Sequence, residues 1–588
     1  MAFKDSPIPF MTRTMWKFSE RAKKRVVLYS VLFIVADVII LLEPLLIAMI
    51  LNTVQTGVTA ANLNYVLMLV GFLLVLELGF WAFHGTARII EQRNAFRVRA
   101  NYKRRMLDGT MSLPMRWHTE HHSGDTIDKI EKGSSNLFQY SEHTFQVIRI
   151  IVSLVSAYII LALFNIYSVY IVAAFMVLMV FVVLRFDKIL IRNWSRLNFA
   201  ENRISAKVYD IISNITTVVI LRLEKLSSAG ISRKITAPYG LYSRTVVVNE
   251  VKWTIISILG TVMEILVLAS YLIGSVITGV PVLVGTLYAL YGYVENIRSQ
   301  LFDFTWFYGD IVRWKTSIGN AEKISDEFRE RAAVKAVDLN RPWTKLRVGK
   351  LSFNYHDADE ELHLNDVSLE IKRGEKIALV GESGSGKTTF LKLLRALYKP
   401  KHVTVSVDGR MLEGFESISP NITLVPQDPE LFDATVKENI TVGRPYPMSA
   451  IRKYTDMARF TAVAERLPRK FNSHIKERGV NLSTGEKQRL ALSRGLLAAA
   501  DTPILLLDEP TSSVDPSNEL AIYDKMFKAY GQKTIVSSVH RLHLLPLFDM
   551  IYVFKRGKIV ARGTFGELLK TREFSSMWKK YGQKQAVD

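Results

Sequence analysis

The chain has no cysteine among its 588 residues. Disulfides, thiolate zinc sites and a cysteine nucleophile are therefore excluded, while the redox compartment stays undecided. Acidic residues are also short, 55 Asp and Glu against 76 Lys and Arg, leaving a net charge of +21. That excess suits either nucleic acid or an anionic membrane surface. Apolar residues make up 49% and charged residues 22%. The mixture suits a hydrophobic half and a soluble half in one polypeptide, and the length exceeds one ordinary domain.

The second half has no long apolar run; the first half is crowded with them. Candidate membrane spans are 26–51, 65–90, 147–164, 167–184, 253–278 and 280–293. Most reach the roughly 20 residues that cross a bilayer as helix, the last only if it continues through Glu295. The first is too long for a signal-peptide core and has no clear cleavage site, so it reads as a retained span. The connections 52–63, 165–168 and the Gly279 turn hold no charge, whereas 91–146 and 185–252 are rich in Arg and Lys. By the positive-inside rule, the N-terminus, both long connections and the C-terminal half are cytoplasmic. Six spans are expected, and they turn the basic excess toward a membrane and away from nucleic acid.

Asp37 and Glu43 lie in the first span, Glu77 in the second and Glu264 in the fifth. Charge at membrane depth faces a bundle interior or a wet cavity. Asp37, Glu77 and Glu264 thus read either as lining a cavity for cationic or hydrogen-bonding solutes or as interhelical pairing groups. Glu295 and Arg298 lie three apart on one helix face and read as a pair. Tyr288, Tyr291 and Tyr293 read as packing and interfacial anchors.

Beyond a polar, helical stretch at 314–346, short β-like runs alternate with helical segments, which argues for an α/β domain with a largely parallel sheet. There Gly381, Glu382, Ser383, Gly384, Ser385, Gly386, Lys387 and Thr388 fit G-x-x-x-x-G-K-[ST] at every fixed position. The glycines let backbone N–H groups turn toward phosphates, Lys387 supplies a charge near the β and γ phosphates, and the Thr388 hydroxyl can ligate Mg²⁺. An apolar strand precedes the loop and a helix follows, as the motif requires. The run Ile504-Leu505-Leu506-Leu507 ends in Asp508 and Glu509. Asp508 suits Mg²⁺, a hard ion with oxygen ligands, and Glu509 is placed to polarise an attacking water. Between these elements, Ser483 reads as the N-cap of a helix from Gly485 to Ala500 and as part of an anion site.

With Leu482-Ser483-Thr484-Gly485-Glu486 upstream of the Asp508–Glu509 strand, the chain resembles an ATP-binding-cassette half-transporter of the exporter type. The segment aligns with the family signature L-S-G-G-Q, and the resemblance covers nearly the whole chain. It implies a six-helix all-α transmembrane domain (1–325), a linker (326–345) and an α/β phosphate-loop nucleotide-binding domain (346–588). Tyr355 resembles the aromatic that stacks on adenine, and Thr389 extends the nucleotide-binding set. Gln427 resembles the glutamine that senses Mg²⁺ and the membrane domain, Asp515 falls in the D-loop, and His540 resembles the switch histidine at the γ-phosphate. Glu477-Arg478-Gly479 resembles the short loop typical of exporters. An elbow helix near 9–20 and coupling helices near 111–122 and 209–217 are implied as well.

The same resemblance implies two half-transporters with ATP sandwiched between the phosphate loop of one and the signature of the other. Ser483, Thr484, Gly485 and Glu486 then serve the partner's site. Thr484 and Glu486 replace the signature's second glycine and its glutamine. The first puts a Cβ near the nucleotide, the second a negative charge, and both leave homodimer and heterodimer open. The expected activity is ATP-driven export of an amphipathic solute, lipid or peptide across a bacterial plasma or inner membrane. Import on the same architecture and an ATP-gated channel are the alternatives.

Overall fold

The computed structural model of the chain describes residues 6–328, 336–355, 362–428, 430–475 and 482–571, with 574, 575 and 578. Glu477-Arg478-Gly479 lies outside the described residues. The chain divides into two compact units, Met1–Leu113 with His121–Phe328 and Pro114–Glu120 with Arg329–Asp588.

Helices run in the order α1 (Pro7–Phe18), α2 (Lys23–Ile40), α3 (Glu43–Gln55), α4 (Leu63–Met111), α5 (Met115–Glu120), α6 (Ser123–Glu142), α7 (Thr144–Phe164), α8 (Ile166–Ser213), α9 (Ile215–Ile220), α10 (Glu224–Thr236), α11 (Tyr239–Thr278) and α12 (Val284–Ser325). All but α5 belong to the first unit. The amphipathic α1 buries Met11, Met15 and Phe18 and leaves Trp16 exposed. It occupies the stretch expected for an elbow helix. α5 and α9 fall within or beside the stretches expected for coupling helices.

Among the described residues, five helical segments are long and apolar enough to cross a membrane: Glu20–Gln55, Leu63–Met111, Ser123–Phe164, Ile166–Ser213 and Glu224–Thr278. The sixth expected span is a helix, α12, yet it does not join them. Its apolar stretch is short: Pro281 and its neighbours precede the helix, and Glu295, Arg298, Asp303 and Asp310 follow within it.

The first apolar segment is broken at Leu41 and Leu42, between α2 and α3. Pro44 causes the break, because it has no N–H for the Ile40 carbonyl and its ring crowds that group. α12 packs against the broken segment. The Tyr293 hydroxyl donates to the Leu41 carbonyl at 2.9 Å. The start of α12 is capped by α3: Asn52 Oδ1 accepts from Gly285 N and Gln55 Oε1 from Val284 N, both at 2.8 Å. A Cβ at Gly285 would stand 1.9 Å from the Ala48 carbonyl oxygen, so only glycine permits this approach.

A second break separates α6 from α7 at His143, and α4 clamps both sides of it. Glu91, fully buried, accepts from the Thr144 hydroxyl and from Phe145 N at 2.9 Å, taking a free donor at the start of α7. Arg88, one turn earlier, donates to the Glu142 carbonyl at the end of α6 and to Glu91 itself. A buried pair of Lys252 and Asp187, 3.2 Å apart, ties α11 to α8.

Among its described residues, the second unit carries three sheets. Strands β1 (Lys345–Phe353), β2 (Leu364–Lys372), β4 (His402–Val407) and β5 (Arg410–Leu412) form an antiparallel sheet in the order β2-β1-β4-β5. The main sheet has the order β12-β11-β3-β10-β9-β6. It comprises β3 (Lys376–Val380), β6 (Ile422–Val425), β9 (Ile504–Asp508), β10 (Thr534–Ser538), β11 (Met550–Lys555) and β12 (Lys558–Gly563). All its pairings are parallel except β11 with β12. β7 (Ala434–Thr435) and β8 (His474–Ile475) make a small pair. β3, β9 and β10 are buried along their whole length. β3 and β9 accordingly carry the unbroken apolar runs 377–380 and 504–507, whereas β10 buries Thr534, Ser537 and Ser538 with hydrogen-bond partners.

Candidate nucleotide site

The carboxyl ends of β3, β9, β10 and β6 lie side by side, and the loops that leave them carry the chemistry, as in other open α/β sheets. From β3 the chain enters the glycine-rich loop and then the helix Lys387–Leu394. Lys387 is 5% exposed, and its ammonium donates to the loop's own carbonyls, Gly381 at 2.8 Å and Glu382 at 3.1 Å. Burial holds its pKa below the ordinary lysine value, against the opposing pull of the Glu509 and Asp508 carboxylates. A buried cation bonded only to neutral carbonyls is a place for an anion. The Ser385 hydroxyl is buried in the same loop without a hydrogen-bond partner.

β9 delivers Asp508 opposite the loop. Its Oδ1 accepts from the Thr388 hydroxyl at 2.9 Å and from the Ser538 hydroxyl at 2.8 Å. Ser538 follows from register, since it pairs with Asp508 across β10 and β9. Glu509 begins the turn after β9 at φ 45°, a left-handed conformation that L residues adopt at a cost. The turn is held because Glu509 N donates to the Ser538 hydroxyl at 2.9 Å. Gln427, two residues past β6, donates from Nε2 to Glu509 Oε2 at 2.9 Å. His540 is exposed and lines one pocket with Glu509, Ser538 and Arg541. Tyr355 stands by the loop helix, its hydroxyl 3.2 Å from that of Thr389. Its ring lies edge-on to Phe353, His363 and Tyr398.

The signature segment forms the start of the helix Thr484–Ala498. Ser483 caps it as expected, the helix starting one residue earlier than predicted, at Thr484: Ser483 Oγ accepts from Glu486 N at 3.3 Å, and Glu486 Oε2 accepts from Ser483 N at 2.9 Å. This reciprocal box fixes the entry of the chain into the helix. The other oxygen of Glu486 pairs with Arg466. Burial pushes the Glu486 carboxyl up, but the Ser483 N–H and hydroxyl and the Arg466 guanidinium outweigh it and hold the group below its ordinary value. The carboxylate expected to stand near a triphosphate is therefore turned back on its own helix start. Thr484 is exposed at the first helical position.

Gly485 packs against the turn that follows Glu509. A Cβ there would come within 2.6 Å of the Ser513 carbonyl oxygen. Gln488 clamps the same turn, donating to the Ser512 hydroxyl and accepting from Ser513 N, each at 2.8 Å. Asp515 caps the helix Pro516–Ala529. It accepts from Asn518 through side chain (2.8 Å) and backbone (3.0 Å), and from the Ser517 hydroxyl, which keep its carboxyl well below the usual range. Under this turn Glu519, 3% exposed, takes the Thr511 hydroxyl at 2.6 Å and lies 3.2 Å from Arg541. Ser538, Gln488, Glu519 and Arg466 do not stand out in the sequence, and only Ser538 was within reach, through strand register.

The acidic residues of the membrane helices have separate neighbours. Asp37 is buried, 4.0 Å from Arg149. Glu77 is exposed and accepts from Trp81 Nε1 at 2.8 Å. Glu264, half-buried, is in electrostatic reach of Arg298, which pairs with Glu295 at 2.5 Å. No described hydrogen bond or ion pair joins Asp37, Glu77 and Glu264 to one another.

Helices long and apolar enough to cross a membrane, followed along one chain by a largely parallel sheet with a glycine-rich loop, give the domain order of an ATP-binding-cassette half-transporter. The chain matches the ABC transporter transmembrane region over residues 26–295 and the ABC transporter family over 364–512. It belongs to the ATP-binding-cassette transporters, with the membrane and ATP-binding parts fused as a half-transporter. ATP-binding cassette sub-family B member 6 of Xenopus tropicalis is 30% identical over 493 residues, 80% of this chain and 55% of the relative. The human protein of that name is 28% identical over 495 residues, 81% of this chain and 57% of the relative. The chain thus spans about half the length of these curated relatives. A solved structure of a bacterial Atm1-family ABC exporter with ATP bound superimposes with a TM-score of 0.83 at 21% identity, covering 95% of this chain and 98% of that one. This last likeness speaks for the fold.

Proposed function

We propose that two copies of this chain assemble into an exporter that couples ATP hydrolysis to alternating access, carrying an amphipathic solute, lipid or peptide. The observation that carries this reading is the cluster around Asp508: a Thr388 hydroxyl at 2.9 Å, the buried Lys387 ammonium beside it, and Glu509 next in sequence. Lys387 and the loop N–H groups bind the phosphates of ATP, and the unpartnered Ser385 hydroxyl has a partner there. Tyr355 packs on the adenine, and Thr389 borders its ring.

Thr388 and Asp508 offer two oxygen donors close together, which fits Mg²⁺ held otherwise by phosphate and water; Gln427 is near enough to join them. Bound there, Mg²⁺ neutralises charge on the phosphates. Glu509 accepts the proton of the attacking water, with Gln427 and Ser538 holding the carboxylate and its turn in place. His540, on the same pocket wall, faces the γ-phosphate.

The partner's signature closes the site with Ser483, Thr484, Gly485 and Glu486. Asp515 holds the turn against which Gly485 packs. ATP favours the closed pair because only then are the phosphates held from both sides, and hydrolysis removes that preference. Export is supported by the fold shared with an exporter. The N-terminus and nucleotide-binding domain lie in the cytoplasm of a cell whose plasma membrane holds the chain. Asp37 with Arg149 and Glu264 with Arg298 reach across helices, whereas Glu77 bonds Trp81 on its own helix; these separate partners favour local pairing over one shared cavity.

The test is vectorial. ATP-dependent uptake of a solute into inside-out vesicles supports export, whereas uptake only into right-side-out vesicles shows import. Ion conductance without any uptake shows a channel.

A further inference from the structure

Glu486 adds a negative charge at the signature, three residues from the Ser483 hydroxyl that the proposed dimer presents to a triphosphate. Left alone, that carboxylate would repel the phosphates and oppose closure. Three contacts show how it is accommodated. One oxygen takes the Ser483 N–H at 2.9 Å, and the other pairs with Arg466, the last residue of the helix Thr461–Arg466. The Ser483 Oγ accepts from Glu486 N at 3.3 Å, which completes the reciprocal cap. The pair approaches from the open side: Arg466 is 70% exposed and Glu486 14%.

We propose that Arg466 is a positioning residue of the shared ATP site. It neutralises Glu486 and holds it on the Ser483 N–H, so that the signature meets the partner's phosphates as a neutral cap. Arg466 touches neither substrate nor reacting atoms; it acts through Glu486. In this account a signature carrying glutamate needs a cation at position 466, and one carrying glutamine does not. This rests on the reading above that the signature completes the partner's site.

The experiment measures steady-state ATPase of the full chain in lipid for the wild type, Arg466→Ala, Arg466→Lys, Glu486→Gln, Arg466→Ala/Glu486→Gln and Ser483→Ala. Removing the cation should raise KM for ATP about threefold or more while kcat changes less than about twofold, the scale of one partly screened charge. Arg466→Lys should keep KM near wild type. Adding Glu486→Gln to Arg466→Ala should restore it, and added salt should narrow the gap between Arg466→Ala and wild type.

An unchanged KM in Arg466→Ala, with Ser483→Ala inactive, overturns the proposal and leaves the shared site standing. A defect that Glu486→Gln does not reverse shows a merely structural role and overturns it too. Full activity in Ser483→Ala removes the shared site itself, and the role of Arg466 with it.

Discussion

Gln427 Nε2 lies 2.9 Å from Glu509 Oε2, joining the ends of two strands that pair directly in the sheet, β6 and β9. The amide holds the carboxylate as an acceptor, with the Glu509 backbone anchored on Ser538 from the other side. A residue held at its carboxylate by one neighbour and at its backbone by another is suited to orient a water.

Replacing Glu509 by Gln keeps the size and the contact with residue 427 but removes the base. ATP binding should persist while turnover falls by about two orders of magnitude or more, the usual contribution of a general base. Nucleotide binding by equilibrium titration and phosphate release by stopped assay check the two halves separately. Unchanged release would sink the assignment.

Gly485→Ala would drive a Cβ to 2.6 Å from the Ser513 carbonyl. That carbonyl is backbone in a clamped turn, so the turn must move. We expect a loss of about 1–3 kcal/mol in stability from overpacking and a larger loss of ATPase, because the shifted turn also carries Asp515. Thermal unfolding and ATPase of one preparation would show whether the two losses separate.

In the membrane unit, Arg88→Ala strips the fully buried Glu91 of its cation and the Glu142 carbonyl of its donor. Breaking a buried pair on one side costs about 3–5 kcal/mol. The variant should unfold at lower temperature in detergent, and Arg88→Ala/Glu91→Gln should recover part of the loss. An unshifted unfolding curve for Arg88→Ala would show that the clamp is not stabilising.

The signature cap makes a pH prediction. Glu486 has a folded pKa below its ordinary 4.5, so the cap and its pair add stability above that value and lose it as pH falls through the depressed one. Wild type should be slightly more stable than Glu486→Gln near pH 7, and the difference should vanish in acid. The effect is small, since Arg466 is largely in water. Unfolding curves of both proteins across this range measure it.

Much of this was legible from residue type and spacing. The phosphate loop and the strand ending in Asp508 and Glu509 are local patterns, and the structure brings them within one hydrogen bond through Thr388. Ser483 as a cap was equally local. What the sequence concealed lies in long-range partners. Arg466 reaches Glu486 across 20 residues and Glu91 reaches Phe145 across 54, and neither spacing has a period to betray it. The break at Leu41 hid inside an apolar run, although Pro44 marked it. The sixth expected span runs into α12, where its tyrosines and the charges beyond Tyr293 share one continuous helix, which keeps it out of the five long apolar segments found among the described residues.

The most direct test of a shared ATP site built from two copies uses complementation between Lys387→Ala and Ser483→Ala. Each variant reconstituted alone should be nearly inactive, because every site contains one damaged half. Reconstituted together, mixed dimers pair the intact loop of one chain with the intact signature of the other, and ATPase should return to about a quarter of wild type for random assembly. Activity no higher than the sum of the two separate variants would contradict the account.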